Sequence, residues 1–78
     1  MSETSETLLH AHVSDITSQD EGKVREIAKA FGDWCDCYAV AYGFPNGEWG
    51  ILIAAEPHKM TTLPSQLDAF WAGWECRP

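Results

Sequence analysis

Residues 34–56, WCDCYAVAYGFPNGEWGILIAAE, contain the strongest indication of the fold. Bulky and small side chains alternate from Trp34 to Phe44, which is the period of a β-strand with one large face and one small face. The segment Pro45-Asn46-Gly47 is a turn signal, and residues 49–56 have the apolar character of a returning strand. The stretch therefore predicts a β-hairpin.

Two registers of this hairpin are compatible with the turn. A two-residue turn at Asn46-Gly47 pairs Tyr42 with Ile51. A three-residue turn at residues 45–47, with a bulge, sets Tyr42 opposite Gly50 instead and exchanges the faces of the partner strand. We favour the first register, because it collects the large apolar groups on one face of the sheet.

The segment before the hairpin has the pattern of an amphipathic helix. Ser18 and Glu21 match a capping box, in which Ser18 is the N-cap and Glu21 occupies the third helical position. Apolar residues then recur at i, i+3, i+4 and i+7: Val24, Ile27, Ala28 and Phe31. Gly32 is expected to end this helix, since glycine is common just after a last helical turn.

Two further elements lie at the ends of the chain. Residues 8–13 alternate as a short strand, with Leu9, Ala11 and Val13 on one face. Pro57 ends the returning strand, and residues 58–62 are predicted to form a loop. A second helix begins at Thr62 or Leu63, and it carries a strongly aromatic stripe: Leu67, Phe70, Trp71 and Trp74.

These elements predict an α+β fold with the order β-α-β-β-α. The strand around residues 51–53 is apolar on both faces, so it belongs at the centre of a three-stranded antiparallel sheet. The spatial strand order is then 2-3-1, with a right-handed crossover and both helices on one face. Residues 1–78 form one domain, in which residues 1–6 are expected to be a flexible arm.

The chain is strongly acidic. Its 78 residues include 12 acidic and 5 basic side chains, which gives a formal net charge of −7 at pH 7. This balance disfavours direct binding to nucleic acids and anionic membranes, since both require Lys and Arg, and it favours a basic protein surface as the partner. The sequence contains no signal peptide and no apolar segment that could span a bilayer, so a cytoplasmic location is expected.

The reactive side chains form no recognisable catalytic or metal-binding motif. Cys35, Cys37 and Cys76 together with one histidine would supply four zinc ligands, but the C-x-C spacing differs from that of a zinc knuckle. Three cysteines fit a reducing compartment, in which a buried thiol packs as a small hydrophobic group. Asp33 and Asp36 resemble a carboxylate pair only loosely. We therefore expect no enzymatic activity, no cofactor and no metal.

The acidic excess lies outside the first helix, where acidic and basic residues balance. The candidate partner-binding residues are acids from these outer segments together with one tryptophan: Asp33, Asp36, Glu48, Glu56, Asp68 and Trp49. The chain contains 4 Trp residues, more than a core of this size is expected to hide completely. Partly exposed tryptophan beside acids is typical of protein interfaces.

With its capping-box helix, tight hairpin, small size and acidic charge, the chain resembles the small type I anti-CRISPR proteins encoded by bacteriophages. The resemblance extends over the whole chain but involves no shared motif, so it assigns a role to no individual residue. It implies a stoichiometric inhibitor in the cytoplasm of the bacterial host. Independently of the resemblance, we expect a monomer, with a dimer left open by the partly covered face of the sheet. Such an inhibitor would act as an acidic DNA mimic that occupies the DNA channel or PAM-reading site of a CRISPR effector.

Two other classes of function fit the same sequence. One is an acidic adaptor or antitoxin-like module that binds a cognate basic protein through its aromatic helix. The other is a small metal or redox protein that uses the three cysteines. Substitution of carboxylates distinguishes mimicry from adaptor docking, because mimicry depends on charge and docking on buried aromatic side chains. Metal analysis tests the third class.

Overall fold

Three antiparallel strands form an open sheet in the computed structural model, which describes residues 9–76. The strands are β1 (His10–Val13), β2 (Tyr38–Gly43) and β3 (Trp49–Ala55), in the spatial order β1-β3-β2. Read from the β2 edge, this order is 2-3-1, with the doubly apolar strand β3 at the centre. The arm predicted at residues 1–6, and Leu8 of the predicted first strand, lie outside the described residues.

Three helices accompany the sheet, α1 (Glu21–Cys35), α2 (Pro57–Met60) and α3 (Leu63–Glu75), so the predicted α+β class is confirmed. The prediction of two helices is wrong, because the segment expected to be a loop contains the single helical turn α2. Pro57 begins that turn, and its fixed φ suits the first helical position. Helices α1 and α3 cover the same face of β3 and enclose one core: Val24, Ile27, Ala28, Phe31, Ile51, Ile53, Ala55, Leu63, Leu67 and Trp71.

The N-terminus of α1 is capped differently from the predicted capping box. Asp20 is the N-cap, and its Oδ1 accepts a hydrogen bond of 3.1 Å from the backbone N–H of Lys23. Ser18 lies two residues before Asp20, and its Oγ accepts a hydrogen bond from the N–H of Asp20. The prediction of Ser18 as the cap is therefore wrong by two residues, because both side chains are good caps and Asp20 directly precedes the first turn.

Helix α1 also continues past Gly32, the residue predicted to end it. Asp36 adopts the left-handed conformation at φ 54°, and the N–H of Cys37 donates to the carbonyl of Gly32 at 3.1 Å, which closes the helix in a Schellman arrangement. Trp34 therefore belongs to the helix and not to the strand. Gly32 serves close packing instead, since a methyl group there would lie 3.5 Å from the Ala39 Cβ and 3.0 Å from the Cys37 carbonyl.

The hairpin adopts the three-residue turn, so the register that the sequence favoured is wrong and its alternative is correct. Tyr42 lies opposite Gly50, and Gly43 lies opposite Trp49. The N–H of Gly47 donates to the Phe44 carbonyl at 3.1 Å, and Gly47 takes the positive φ of 91° that a bulged turn requires. In this register the small residues Ala39 and Ala41 share the face of Ile51 and Ile53, where they allow α1 to approach the sheet closely.

Candidate protein-binding surface

The face of the sheet opposite the helices is apolar and lacks a covering element within residues 9–76. The register of the three strands and their alternation place ten residues on this open sheet face: Leu9, Ala11, Val13, Tyr38, Val40, Tyr42, Phe44, Gly50, Leu52 and Ala54. Leu9, Tyr38 and Tyr42 are exposed by 60%, 59% and 43% respectively. The only polar side-chain groups in the set are the two tyrosine hydroxyls. A continuous apolar face of this kind is typical of an interaction surface.

Phe44 anchors the hairpin end of the open sheet face. Its ring lies against Gly50, where a methyl group would be only 3.0 Å from Phe44 Cε2 and 3.1 Å from Ser14 Oγ. The Tyr42 and Phe44 rings meet nearly perpendicularly, with centroids 5.2 Å apart. Ser14 is buried and holds β1 to β3, because its Oγ accepts from the N–H of Ile51 at 3.0 Å and donates to the Ile16 carbonyl at 2.8 Å. This corner is therefore well packed although one side faces solvent.

Three of the six predicted partner-binding residues lie near the opposite end of the sheet. Asp33 is in the last turn of α1, and Asp36 follows it in the link to β2. Glu56 directly follows β3 and shares a shallow depression with Asp36, Tyr38 and Lys59. Asp36 and Glu56 thus flank the Tyr38 end of the open sheet face.

The other three predicted residues are separated from that end. Glu48 lies in the hairpin turn, where its Oε1 accepts a 2.7 Å hydrogen bond from Thr17 Oγ1. Trp49 packs half-buried against the core on the helix side, with the Arg25 guanidinium 5.9 Å from its ring centroid. Asp68 is exposed on α3. The structure therefore brings Asp33, Asp36 and Glu56 towards one end and does not assemble all six residues into one site.

Ion pairs neutralise some of the acidic residues and leave others without a cation. Lys23 Nζ contacts Glu75 Oε2 at 2.6 Å, Arg25 contacts Glu21 at 2.6 Å, and Lys29 contacts Asp33 at 3.3 Å. The charges of α1 are thus not balanced within that helix alone, as the sequence suggested, because Lys23 pairs with Glu75 of α3. Among residues 9–76, five exposed acids have no ion pair with Lys or Arg: Asp15, Asp20, Glu26, Asp36 and Asp68.

The Glu75 carboxylate joins α3 to α1. Its pKa is lowered, first by the hydrogen bond from Lys23 and then by the hydrogen bond from Trp71 Nε1, which is 3.1 Å from Oε2. Trp71 itself is buried in the core. This contact is a structural link between the two long helices rather than part of the open sheet face.

Cys35 and Cys37 lie at the C-terminal end of α1, whereas Cys76 follows α3. Burial raises the pKa of the Cys35 thiol, and it also raises that of Cys37, with smaller contributions from Cys35 and Asp36 opposed by Lys59. Both groups therefore stay protonated near neutral pH and have little thiolate character. Among the residues that the structure describes, no three His, Cys, Asp or Glu side chains are placed to hold a metal ion.

Sequence reasoning selected partner-binding residues by charge and did not identify Tyr38 and Tyr42 as part of the sheet face opposite the helices. The signal was present in the alternation of Tyr38, Val40 and Tyr42, but the favoured register placed these side chains with the large core residues. None of the helices within residues 9–76 is long and apolar enough to cross a membrane. In three comparisons with known proteins, the chain matches no family model, no curated protein and no solved structure.

Proposed function

We propose that the protein is a stoichiometric, non-enzymatic binding protein that docks on a basic surface of another protein. The observation that carries this proposal is the open sheet face, an apolar surface with Asp36 and Glu56 at one end. Apolar side chains supply the burial that stabilises an interface, and acids at its border attract a basic partner and orient it.

The charge distribution supports a basic partner. Three of the four cations within residues 9–76 already pair with acids of this chain: Lys23, Arg25 and Lys29. The remaining acids give the surface its negative field, with a formal net charge of −7 for the whole chain. Such a field accelerates the encounter with a positively charged surface and weakens as salt is added.

The specific form that we propose is inhibition of a bacterial CRISPR–Cas effector by mimicry of DNA, in the cytoplasm of the host. Its support is the acidic charge and the resemblance in size and element order. The DNA channel of such an effector is lined by basic residues that normally hold phosphates. Asp33, Asp36 and Glu56 would face that channel, while Glu48 lies about 26 Å from Glu56 along β3. A mimic built on this chain would therefore use one end of the sheet.

The second candidate is an adaptor or antitoxin-like module, and the open sheet face favours it. The aromatic helix expected to dock such a partner contributes Leu67 and Trp71 to the core, while Phe70 and Trp74 pack partly buried against it. The apolar surface left for a partner is on the sheet instead. An adaptor would therefore dock through tyrosines and aliphatic side chains, with the acids in a supporting role.

Two sets of variants separate these candidates in a binding assay with a purified CRISPR effector complex. Asp36→Lys with Glu56→Lys reverses the acids, and Tyr38→Ser with Tyr42→Ser makes the open sheet face polar. Mimicry predicts that the acid reversal lowers affinity by about tenfold or more and slows association, whereas the tyrosine variant changes affinity less. Glu26→Lys, which reverses an exposed acid on α1, is the matched control.

The opposite pattern favours the adaptor, because docking by apolar burial depends on the tyrosines. If neither double variant changes binding, or if the parent chain binds no CRISPR effector, the mimicry proposal is wrong. Capture of a basic partner that loses affinity only with the tyrosine variant would then support the second candidate.

A further inference from the structure

The two edges of the sheet differ in how well they are protected against pairing with another strand. The β1 edge is four residues long and carries His10 and His12. The β2 edge is six residues long, YAVAYG, with no charged residue, no proline and no bulge within it. Natural edge strands are usually kept single by charge, proline, a bulge or shortness. Only β1 has such protection.

The hydrogen bonds between β2 and β3 determine which backbone groups of β2 point towards its free edge. The N–H of Phe44 donates to the carbonyl of Glu48 at 2.8 Å, so alternate residues from Phe44 backwards bond to β3. The residues between them direct their N–H and C=O groups away from the sheet: Ala39, Ala41 and Gly43. Within residues 9–76 no other strand pairs with this edge. Six main-chain groups therefore face outwards in a row.

We propose that a second copy of this chain pairs with the free edge of β2, antiparallel, to form a continuous six-stranded sheet. A two-fold axis at Ala41 sets Ala41 against Ala41 of the second copy and Ala39 against Gly43 of the second copy. This register satisfies all six outward groups with six main-chain hydrogen bonds. Because protein interfaces contain about one hydrogen bond per 100–200 Å², six hydrogen bonds correspond to an interface of roughly 600–1,200 Å². The inference goes beyond the proposed function and does not depend on it.

The side chains of the open sheet face suit this register. It places Tyr42 beside Val40 of the second copy, and Val40 beside Tyr42 of the second copy. Pairs of an aromatic and a β-branched residue across neighbouring strands are among those that stabilise sheets. On the helix side the facing residues are alanine and glycine, so nothing bulky keeps the two backbones apart.

The same two-fold axis brings charged residues of α1 close to oppositely charged residues of α1 in the second copy. Arg25, Lys29 and Asp33 line a groove of about 540 Å³ between α1 and the β2 edge. Gly32 is in contact with Ala39, while Arg25 lies over Trp49, the strand partner of Gly43. The axis therefore brings Arg25 towards Asp33 of the second copy, and Asp33 towards its Arg25. These two opposite-charge pairs offset part of the repulsion between two acidic chains.

The dimer would also join the two open sheet faces side by side. One face is about 14 Å wide and about 20 Å long by strand spacing and rise, or about 300 Å² in projection. That is well below the roughly 800 Å² per partner of a standard protein interface. A paired sheet doubles the apolar area that a single partner can cover.

The experiment is sedimentation equilibrium of the whole chain from about 1 µM to about 1 mM, a range that covers weak and moderate dimers. We expect a reversible dimer. Ala41→Pro removes two of the six hydrogen bonds at the axis without touching the β3 ladder, so it should abolish the dimer where the parent is dimeric. Ala11→Pro is the matched control, because Ala11 is an exposed residue whose N–H points outwards from the other edge. Far-ultraviolet circular dichroism confirms that each variant is folded.

A charge-reversal pair on α1 keeps the test decisive if proline disturbs the strand. Arg25→Asp and Asp33→Arg should each weaken the dimer by about three- to tenfold, and the double variant should restore it, because the two positions face each other across the axis. The inference is overturned if the parent is monomeric over the whole range. It is also overturned if Ala41→Pro dimerises as well as Ala11→Pro does, or if the double charge variant fails to recover.

Discussion

The two faces of the sheet are both apolar, yet only one of them is covered by helices. On the helix side, Ile51 and Ile53 are completely buried, and the β2 residues opposite them are alanines. On the open side, Leu52 remains partly exposed and its β2 neighbours are large. The comparison shows that apolar character alone does not select the covered face. Helix α1 packs where β2 has small side chains, because only there can its backbone approach the sheet closely.

The largest difference in stability is expected between substitutions of two neighbouring β3 residues that point to opposite faces of the sheet. Ile53→Ala should lower the free energy of unfolding by about 2–5 kcal/mol, since it creates a cavity among completely buried side chains. Leu52→Ala removes a similar volume from the open sheet face and should lower it by about 1 kcal/mol. Urea unfolding of both variants, at a protein concentration where the chain is monomeric, measures the difference. Equal losses would contradict the assignment of the two faces.

The packed corner of the open sheet face gives the next largest effect. Gly50→Ala should destabilise the fold by about 1–3 kcal/mol, because the new methyl group would approach the Phe44 ring and Ser14 Oγ too closely. Gly73→Ala on α3, where nothing lies within 4 Å of the added methyl group, should instead stabilise by about 0.5–1 kcal/mol. Thermal unfolding compares the two.

A second substitution tests whether the contact with Phe44 causes the destabilisation by Gly50→Ala. Adding Phe44→Ala to Gly50→Ala should recover part of the loss, since the ring that crowds the methyl group is removed. Strictly additive losses in the two substitutions would place the Phe44 ring elsewhere.

The turn determines which face of β2 is open, and a smaller effect is expected there. Gly47→Val should cost about 1–2 kcal/mol, because a β-branched residue resists the positive φ of 91° that Gly47 adopts. The substitution leaves core volume unchanged, so the loss measured by urea unfolding reports on the turn. A variant as stable as the parent would show that the hairpin does not need this conformation.

The smallest expected effect is a pH dependence of stability that arises from Glu75, which joins α3 to α1. The pKa of Glu75 is lowered in the folded chain, so its contribution to stability is present above the pKa of the unfolded chain. That contribution is lost as the pH falls through the folded value. Glu75→Gln should therefore lower stability slightly at pH 7 and have less effect near pH 3. Asp68→Asn, an exposed change on the same helix, is the control. Parallel pH profiles for the parent and Glu75→Gln would exclude this linkage.

Periodicity predicted the elements well and their ends poorly. The apolar stripe of α1 lies in the core, and the aromatic stripe of α3 contributes Leu67 and Trp71 to it. A helix packs through the face on which apolar residues repeat every three to four residues. The caps were less predictable, since Ser18 and Asp20 are both suitable caps and Asp36 can adopt a left-handed conformation in place of glycine. Helix α2 has too few residues to show any period.

The candidate surface could be predicted only in part for a similar reason. Acidic residues are visible in the sequence, but their ion pairs are not, because Lys23 and Glu75 are 52 residues apart. Prediction of the open sheet face required the correct pairing register of β2 with β3. A shift between the two turns moves every side chain of one strand to the other face relative to its partner, and the sequence is compatible with both turns.

Local turn chemistry and the apolar period are enough to predict a hairpin with a central apolar strand and two amphipathic helices. The face of the sheet that the helices cover depends on packing between elements. Strand β3 is apolar on both sides, and the choice depends on how the volumes of Gly32, Ala39 and Ala41 fit together across the chain. A fit between residues from different elements has no local signature, so only the packed structure shows that Tyr38 and Tyr42 are exposed.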